Sequence, residues 1–236
     1  MNNLSNELIR VKVKMESNLS PEQTRNKRGH KRERDTNTQV VTYTGIGEQV
    51  SEKPLPPIVF YKLLLHNRGY SSIPILPSAK RTPSQESMDA YTSDLINSIR
   101  TSNMQELRAL ADAGKPMTAC NKFGESILHL ACRRSTAEVV DFLLKNGAKL
   151  DNVDDYGRTP VHDVCWREGI NFEIVDLIMS VDPRYLSFSD IRGATPLDYI
   201  AEINWSDWCC YLNKNSNKYW PVSRNLEDLR RCQDAT

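Results

Sequence analysis

A six-residue phrase recurs along this chain at nearly fixed spacing. Gly124-Glu-Ser-Ile-Leu-His129 returns as Gly157-Arg-Thr-Pro-Val-His162 and again, slightly later than the first interval predicts, as Gly193-Ala-Thr-Pro-Leu-Asp198. A period of roughly 33 residues marks stacked supersecondary units, each burying its apolar face only against its neighbours. The spacing therefore predicts an all-α repeat solenoid and argues against a β-rich or single-centred core. Scaffolds of this kind bind partners rather than catalyse reactions.

A second set of glycines fixes the register. Gly114 and Gly147 are separated by the same interval as Gly124 and Gly157, and each precedes its partner in the first set by the same short stretch. A glycine just past a helix adopts the left-handed conformation that satisfies terminal carbonyls without a Cβ clash. The stretch between the two sets then forms an extended turn, or finger, between units. Ser126 or Thr159 follows as helix N-cap, and Pro160 stands at the first helical position, where its missing amide costs nothing. The longer third unit carries its extra residues in turns, around Glu168-Gly-Ile170 and after Asp182-Pro183, where insertions disturb packing least.

Composition limits the remaining possibilities. Lys and Arg total 31 against 30 acidic residues, so net charge supplies no reason to expect nucleic acid as a partner. No run of about 18 apolar residues exists for a membrane span, and Met1 to Arg10 lacks the apolar core of a secretory signal. An intracellular protein, cytoplasmic or nuclear, is expected. The six cysteines accordingly read as reduced, core-packing thiols.

The polar residues 1–54 predict a disordered arm. Residues 55–70 predict a short helix, bounded by Pro54-Leu-Pro-Pro57 and Gly69, that covers its apolar side on the first repeat. Residues 71–92 read as a tether, residues 93–213 as the repeat domain with units near 93–120, 121–153, 154–189 and 190–213, and residues 214–236 as a C-terminal extension.

The units resemble ankyrin repeats. The resemblance rests on Asn121 to Leu130 joined to Glu138-Val-Val-Asp-Phe-Leu-Leu-Lys-Asn-Gly-Ala-Lys-Leu-Asp151, and it covers about residues 93–213. It implies units of a β-turn finger and two antiparallel helices, with partners held by finger tips and the concave face of the first helices. Three positions depart from the pattern: Ile127 replaces a proline, Asp198 a histidine and Asp182 a helix-ending glycine. The fourth unit, with Trp205, Trp208, Tyr211, Tyr219 and Trp220, is expected to cap the array.

His129-x-x-Cys132 and His162-x-x-Cys165 have the composition of a zinc site or a Cys/His nucleophile pair. The repeat places the two pairs on adjacent helices about 8 to 10 Å apart, a separation that makes it difficult for four donors to meet one ion at about 2.0 to 2.3 Å. No metal, cofactor, small-molecule substrate or catalytic residue is expected. Histidines bonded to turn backbone and cysteines packed inside are the simpler account.

The side chains that the repeat leaves free form the candidate partner face: Lys122, Phe123, Glu125, Arg133, Arg134, Asp155, Tyr156, Arg158, Asp163, Trp166, Arg167 and Arg192. Aromatics beside arginines have hot-spot composition. The alternative is that Phe123, Tyr156 and Trp166 pack between fingers or under the inserted turn. A protein partner is the reading, and an adaptor role follows. The other reading is a nuclear regulator using Arg25 to Arg34, with Lys27, Arg28, Lys31 and Arg32 as an import signal or a nucleic-acid contact. The same run also fits a solvated tail.

Overall fold

In the computed structural model, residues 54–70, 76–77 and 82–222 are described. The chain divides at Pro54, and every described element lies in the unit from Leu55 onward. Residues 1–53, with the expected disordered arm and its basic run, lie outside the described residues. The elements are α1 (Pro57–Asn67), β1 (Leu76–Pro77), α2 (Gln85–Asp89), α3 (Ser93–Arg100), α4 (Met104–Asp112), α5 (Ile127–Arg134), α6 (Ala137–Lys145), α7 (Pro160–Trp166), α8 (Phe172–Val181), β2 (Phe188–Ser189), α9 (Trp205–Lys214) and α10 (Ser216–Tyr219). Short 3-10 turns occupy Pro183–Ser187, Pro196–Tyr199 and Glu202–Asn204.

Helices α5 and α7 start the same way because the same pair of side chains acts locally. In α5 the amide of His129 donates to Ser126 Oγ, while His129 Nδ1 accepts from the Ser126 amide at 3.0 Å. In α7 the Thr159 amide donates to His162 Nδ1 at 3.0 Å. At the third copy Asp198 replaces the histidine and does the same work, accepting from the Thr195 amide and hydroxyl, both at 2.7 Å. These capping boxes satisfy donors that a helix start otherwise leaves bare.

The fingers are equally regular. Asn121 Oδ1 accepts from the amides of Phe123 and Glu125, Asp154 Oδ1 from those of Tyr156 and Arg158, and Asp190 Oδ1 from those of Arg192 and Ala194. One carbonyl or carboxylate oxygen thus closes each turn. Gly124 carries the turn at φ +82°, and a Cβ there would stand 2.6 Å from the Val153 carbonyl of the next finger. Glycine is required twice over, for the backbone angle and for the close approach.

Packing follows the stack. The inner helices α3, α5 and α7 touch in order, and the Pro196–Tyr199 turn continues the row; α6 and α8 pack behind them. Leu95, Ile99, Ile127, Leu128, Val139, Val140, Leu143 and Ile174 are fully buried between layers. Truncating one such side chain to alanine costs about 2 to 5 kcal/mol. The insertion in the third unit lies between α7 and α8 and turns at Gly169, φ +74°. Asp182, which stands where a glycine is usual, accepts from the Arg184 amide at 2.8 Å and so starts the 3-10 turn that follows α8.

The array's ends differ from the expectation. The apolar helix α1 packs against α9 and the Pro196–Tyr199 turn, at the last unit and not the first. Tyr61 meets Trp220 edge to face at 5.0 Å between ring centres. The Arg68 guanidinium donates to the Trp220 carbonyl at 2.8 Å and to Ser216 Oγ at 2.6 Å. The last unit offers the aromatic surface that α1 needs, because its inner helix is reduced to 3-10 turns. The first unit's finger position is filled instead by α2, whose Ser87 carbonyl accepts from the Cys120 amide at 3.1 Å. Residues expected to be a plain tether therefore include α2, and β1, which pairs in parallel with β2 at Leu76 to Phe188 and Pro77 to Ser189.

Candidate functional site

The His/Cys pairs belong to the scaffold. Because His129 Nδ1 accepts an amide, its proton is on Nε2, which donates to the Arg158 carbonyl at 2.9 Å; His162 Nε2 likewise faces the Ala194 carbonyl at 3.3 Å. Each histidine thus ties its helix cap to the next finger. Burial holds both rings well below the usual histidine range, at about 4, although their backbone acceptors pull upward. Cys132 and Cys165 are buried, and burial pushes both thiols up, away from the reactive thiolate. Among the described residues no three His, Cys, Asp or Glu side chains are grouped to hold a metal ion, and no helix is long and apolar enough to cross a membrane.

The twelve residues of the candidate face separate into two groups. Several are committed to the fold. Arg133 bridges Glu125 and Asp163, with Nη1 at 2.9 Å from Asp163 Oδ1, so it joins the second finger to α7. Asp163 is only 5% exposed, and burial pushes its carboxyl upward while Arg133 pulls it back. It is not available to a partner. Arg167 donates to the carbonyls of Cys132 at 3.2 Å and Ser135 at 3.3 Å, completing the C-terminal end of α5. Arg192 pairs with Asp190 and donates to the Tyr199 hydroxyl at 2.6 Å. The repeat pattern leaves these positions variable, but here Arg133 and Arg167 tie neighbouring units together and Arg192 braces its own finger.

The remaining residues face solvent. Phe123, Tyr156 and Trp166 are 53%, 52% and 54% exposed, so they do not pack away between fingers. Each lies against a cation. Lys122 Nζ stands 5.0 Å from the centre of the Phe123 ring, and the Arg158 guanidinium stands 5.0 Å from Tyr156 and 5.8 Å from Trp166. Arg158 is itself fixed by Asp154, Nε to Oδ2 at 2.7 Å. The buried carboxylate thereby orients a guanidinium against two exposed aromatic rings. Arg134 is exposed, and Asp155 is partly so. Ile191, on the fourth finger and 69% exposed, extends the patch. Aligning Asp190-Ile191-Arg192-Gly193 under Asn121-Lys122-Phe123-Gly124 would have found it.

The repeated caps, fingers and helix pairs agree with what comparison finds. Residues 95–186 match a family model described as ankyrin repeats, in three copies. This stretch is an ankyrin-repeat array. Over 65 residues the chain is also 34% identical to an ankyrin repeat-containing protein of Caenorhabditis elegans, a match covering 28% of this chain and 6% of that relative. The chain thus spans a small fraction of the relative's length. Ankyrin repeats are generally protein-protein interaction modules and typically non-enzymatic.

Proposed function

We propose that this array is a non-enzymatic interaction module whose protein partner lies across the fingers and inner-helix ends of the second to fourth units. The observation that supports the reading is the exposed set Tyr156, Arg158 and Trp166. Large aromatic surface is kept at solvent by a cation that Asp154 holds in place, so little side-chain freedom remains to be lost on binding. Phe123 and Ile191 flank this centre, and Lys122 and Arg134 add charge at its rim. Aromatic anchors surrounded by polar neighbours are the usual composition of a binding hot spot.

The test is affinity capture from the native cell with the full chain, comparing it with the double variant Tyr156→Ala, Trp166→Ala. Arg167 is unsuitable for this purpose, because it supports the end of α5. Removing two hot-spot side chains should weaken binding by at least about 2 kcal/mol, roughly thirtyfold. The urea midpoint should stay nearly unchanged, since both rings are half exposed. Undiminished capture of every partner by a folded double variant would remove this face from consideration.

A further inference from the structure

The sequence contains four Ser/Thr-Pro dipeptides: Ser20-Pro21, Thr82-Pro83, Thr159-Pro160 and Thr195-Pro196. Ser20 lies outside the described residues. The other three have the same local chemistry, a hydroxyl followed by a proline, and a motif scan treats them alike. The fold does not.

Thr159 is fully buried and Thr195 is 4% exposed. Both are N-caps whose hydroxyls are engaged at the histidine or aspartate of a capping box, at 2.9 Å to His162 Nδ1 and 2.7 Å to Asp198 Oδ2. An enzyme would reach either hydroxyl only in molecules where the cap has opened, a fraction on the order of 10⁻³ to 10⁻⁶ if opening needs unfolding of the array. Thr82 is exposed and stands outside every helix. The proline after it biases its backbone to an extended conformation, the form in which a peptide segment enters an enzyme cleft. Just beyond, Ser84 caps α2 by accepting from the Ser87 amide at 3.2 Å, and the Ser87 carbonyl accepts from the Cys120 amide of the array at 3.1 Å, so Thr82 shortly precedes an element joined to the array.

We propose that Thr82 is a phosphorylation site for a proline-directed serine/threonine protein kinase, and that Thr159 and Thr195 are shielded from the same enzyme by the fold. In the step, Thr82 Oγ attacks the γ-phosphorus of ATP and forms the new O–P bond. The bond from that phosphorus to the β,γ-bridging oxygen breaks, ADP departs with that oxygen, and the hydroxyl proton passes to a carboxylate base of the kinase. The product adds about −1.5 to −2 charges at pH 7 beside the first unit. None of the capping boxes at Ser126, Thr159 or Thr195 is disturbed.

The experiment incubates the folded full-length chain with a purified proline-directed kinase and ATP, and maps phosphate by mass spectrometry. Peptides spanning Thr82, Thr159 and Thr195 are treated in parallel, and Thr82→Ala serves as the second chain. The expected result is about one phosphate per chain at Thr82, none there in the variant, and no label at Thr159 or Thr195 in either chain although their peptides accept phosphate. Label at Ser20 is counted separately. The proposal is overturned if Thr82 stays unmodified in the folded chain, whether or not its peptide is a substrate. It is equally overturned if Thr159 or Thr195 in the folded chain is labelled as readily as Thr82.

Discussion

Lowering the pH from 7 to 5 should weaken the array through His129 and His162, and His129 shows why. Its ring is fully buried, accepts the Ser126 amide at Nδ1 and donates from Nε2 to Arg158. Protonation would put a second N–H at Nδ1 against that amide and place a charge in the interior. Burial accordingly lowers the folded-state value to about 4, from 6.5 in the open chain. The unfolded chain therefore binds the proton first, and the stabilisation is complete above about pH 6.5 and lost as the pH falls towards 4. Integrating between those values assigns about 2 kcal/mol of lost stability to this one residue between pH 7 and pH 5. Carboxylates such as Asp163 titrate in the opposite sense, because burial raises it. Total stability is thus the wrong quantity to follow. Urea melts at both pH values on the parent chain and on His129→Gln isolate the effect. The variant is less stable at pH 7 but should lose about 2 kcal/mol less than the parent on acidification, since it has no ring to protonate. Equal losses in the two proteins would refute the assigned protonation state and the sign of the effect.

Three other perturbations test the architecture. Gly124→Ala should cost more than Gly147→Ala: both glycines have positive φ, worth about 1 to 2 kcal/mol for a residue with a Cβ, but only at Gly124 does the new atom meet a backbone carbonyl, at 2.6 Å. Equal urea midpoints would mean that the finger-to-finger approach is not as described. Tyr61→Ala should cost about 3 kcal/mol and shift Trp220 fluorescence, because α1 seals the last unit through that ring pair; a change in neither would separate α1 from the fold. Thr159→Ala should cost about 1 kcal/mol by removing the cap hydroxyl of α7, and an unaltered chemical melt would argue that His162 alone suffices there.

What was legible in the sequence is what each unit does within itself. Gly124, Ser126 and His129 are near neighbours in the chain, and their hydrogen bonds close inside that short span or reach the equivalent place one period on. A local rule restated in the next unit is visible as letters, so the helix pairs, fingers and caps follow from spacing. The partner face was only half legible for the same reason. Repetition marks Glu125, Arg133 and Asp163 as free to vary, yet a variable position can still be used, and here the three make one ion-pair cluster between neighbouring units. No period announces that, since the partners were chosen to suit each other and not the repeat.

The docking of α1 shows a second kind of limit. The run Ile58-Val-Phe-Tyr-Lys-Leu-Leu-Leu65 says that a helix there must bury apolar surface, and proximity along the chain favours the first repeat. Proximity is a weak guide, because lengthening a connection costs little: each doubling of a loop adds only about 0.6 kcal/mol. Burying one large side chain outweighs that, at about 1.5 to 3 kcal/mol. The surface with the best complementary shape therefore wins, wherever it lies. It lies at the last unit, where the inner helix gives way to 3-10 turns, Trp220 meets Tyr61, and Arg68 finds three acceptors at Ser216, Asn217 and Trp220. An open end is the one place where a repeat array has buried-type residues with no next unit to cover them. Here the cover comes from the chain's own earlier segment, so the stability of the last repeat depends on residues some 150 positions before it.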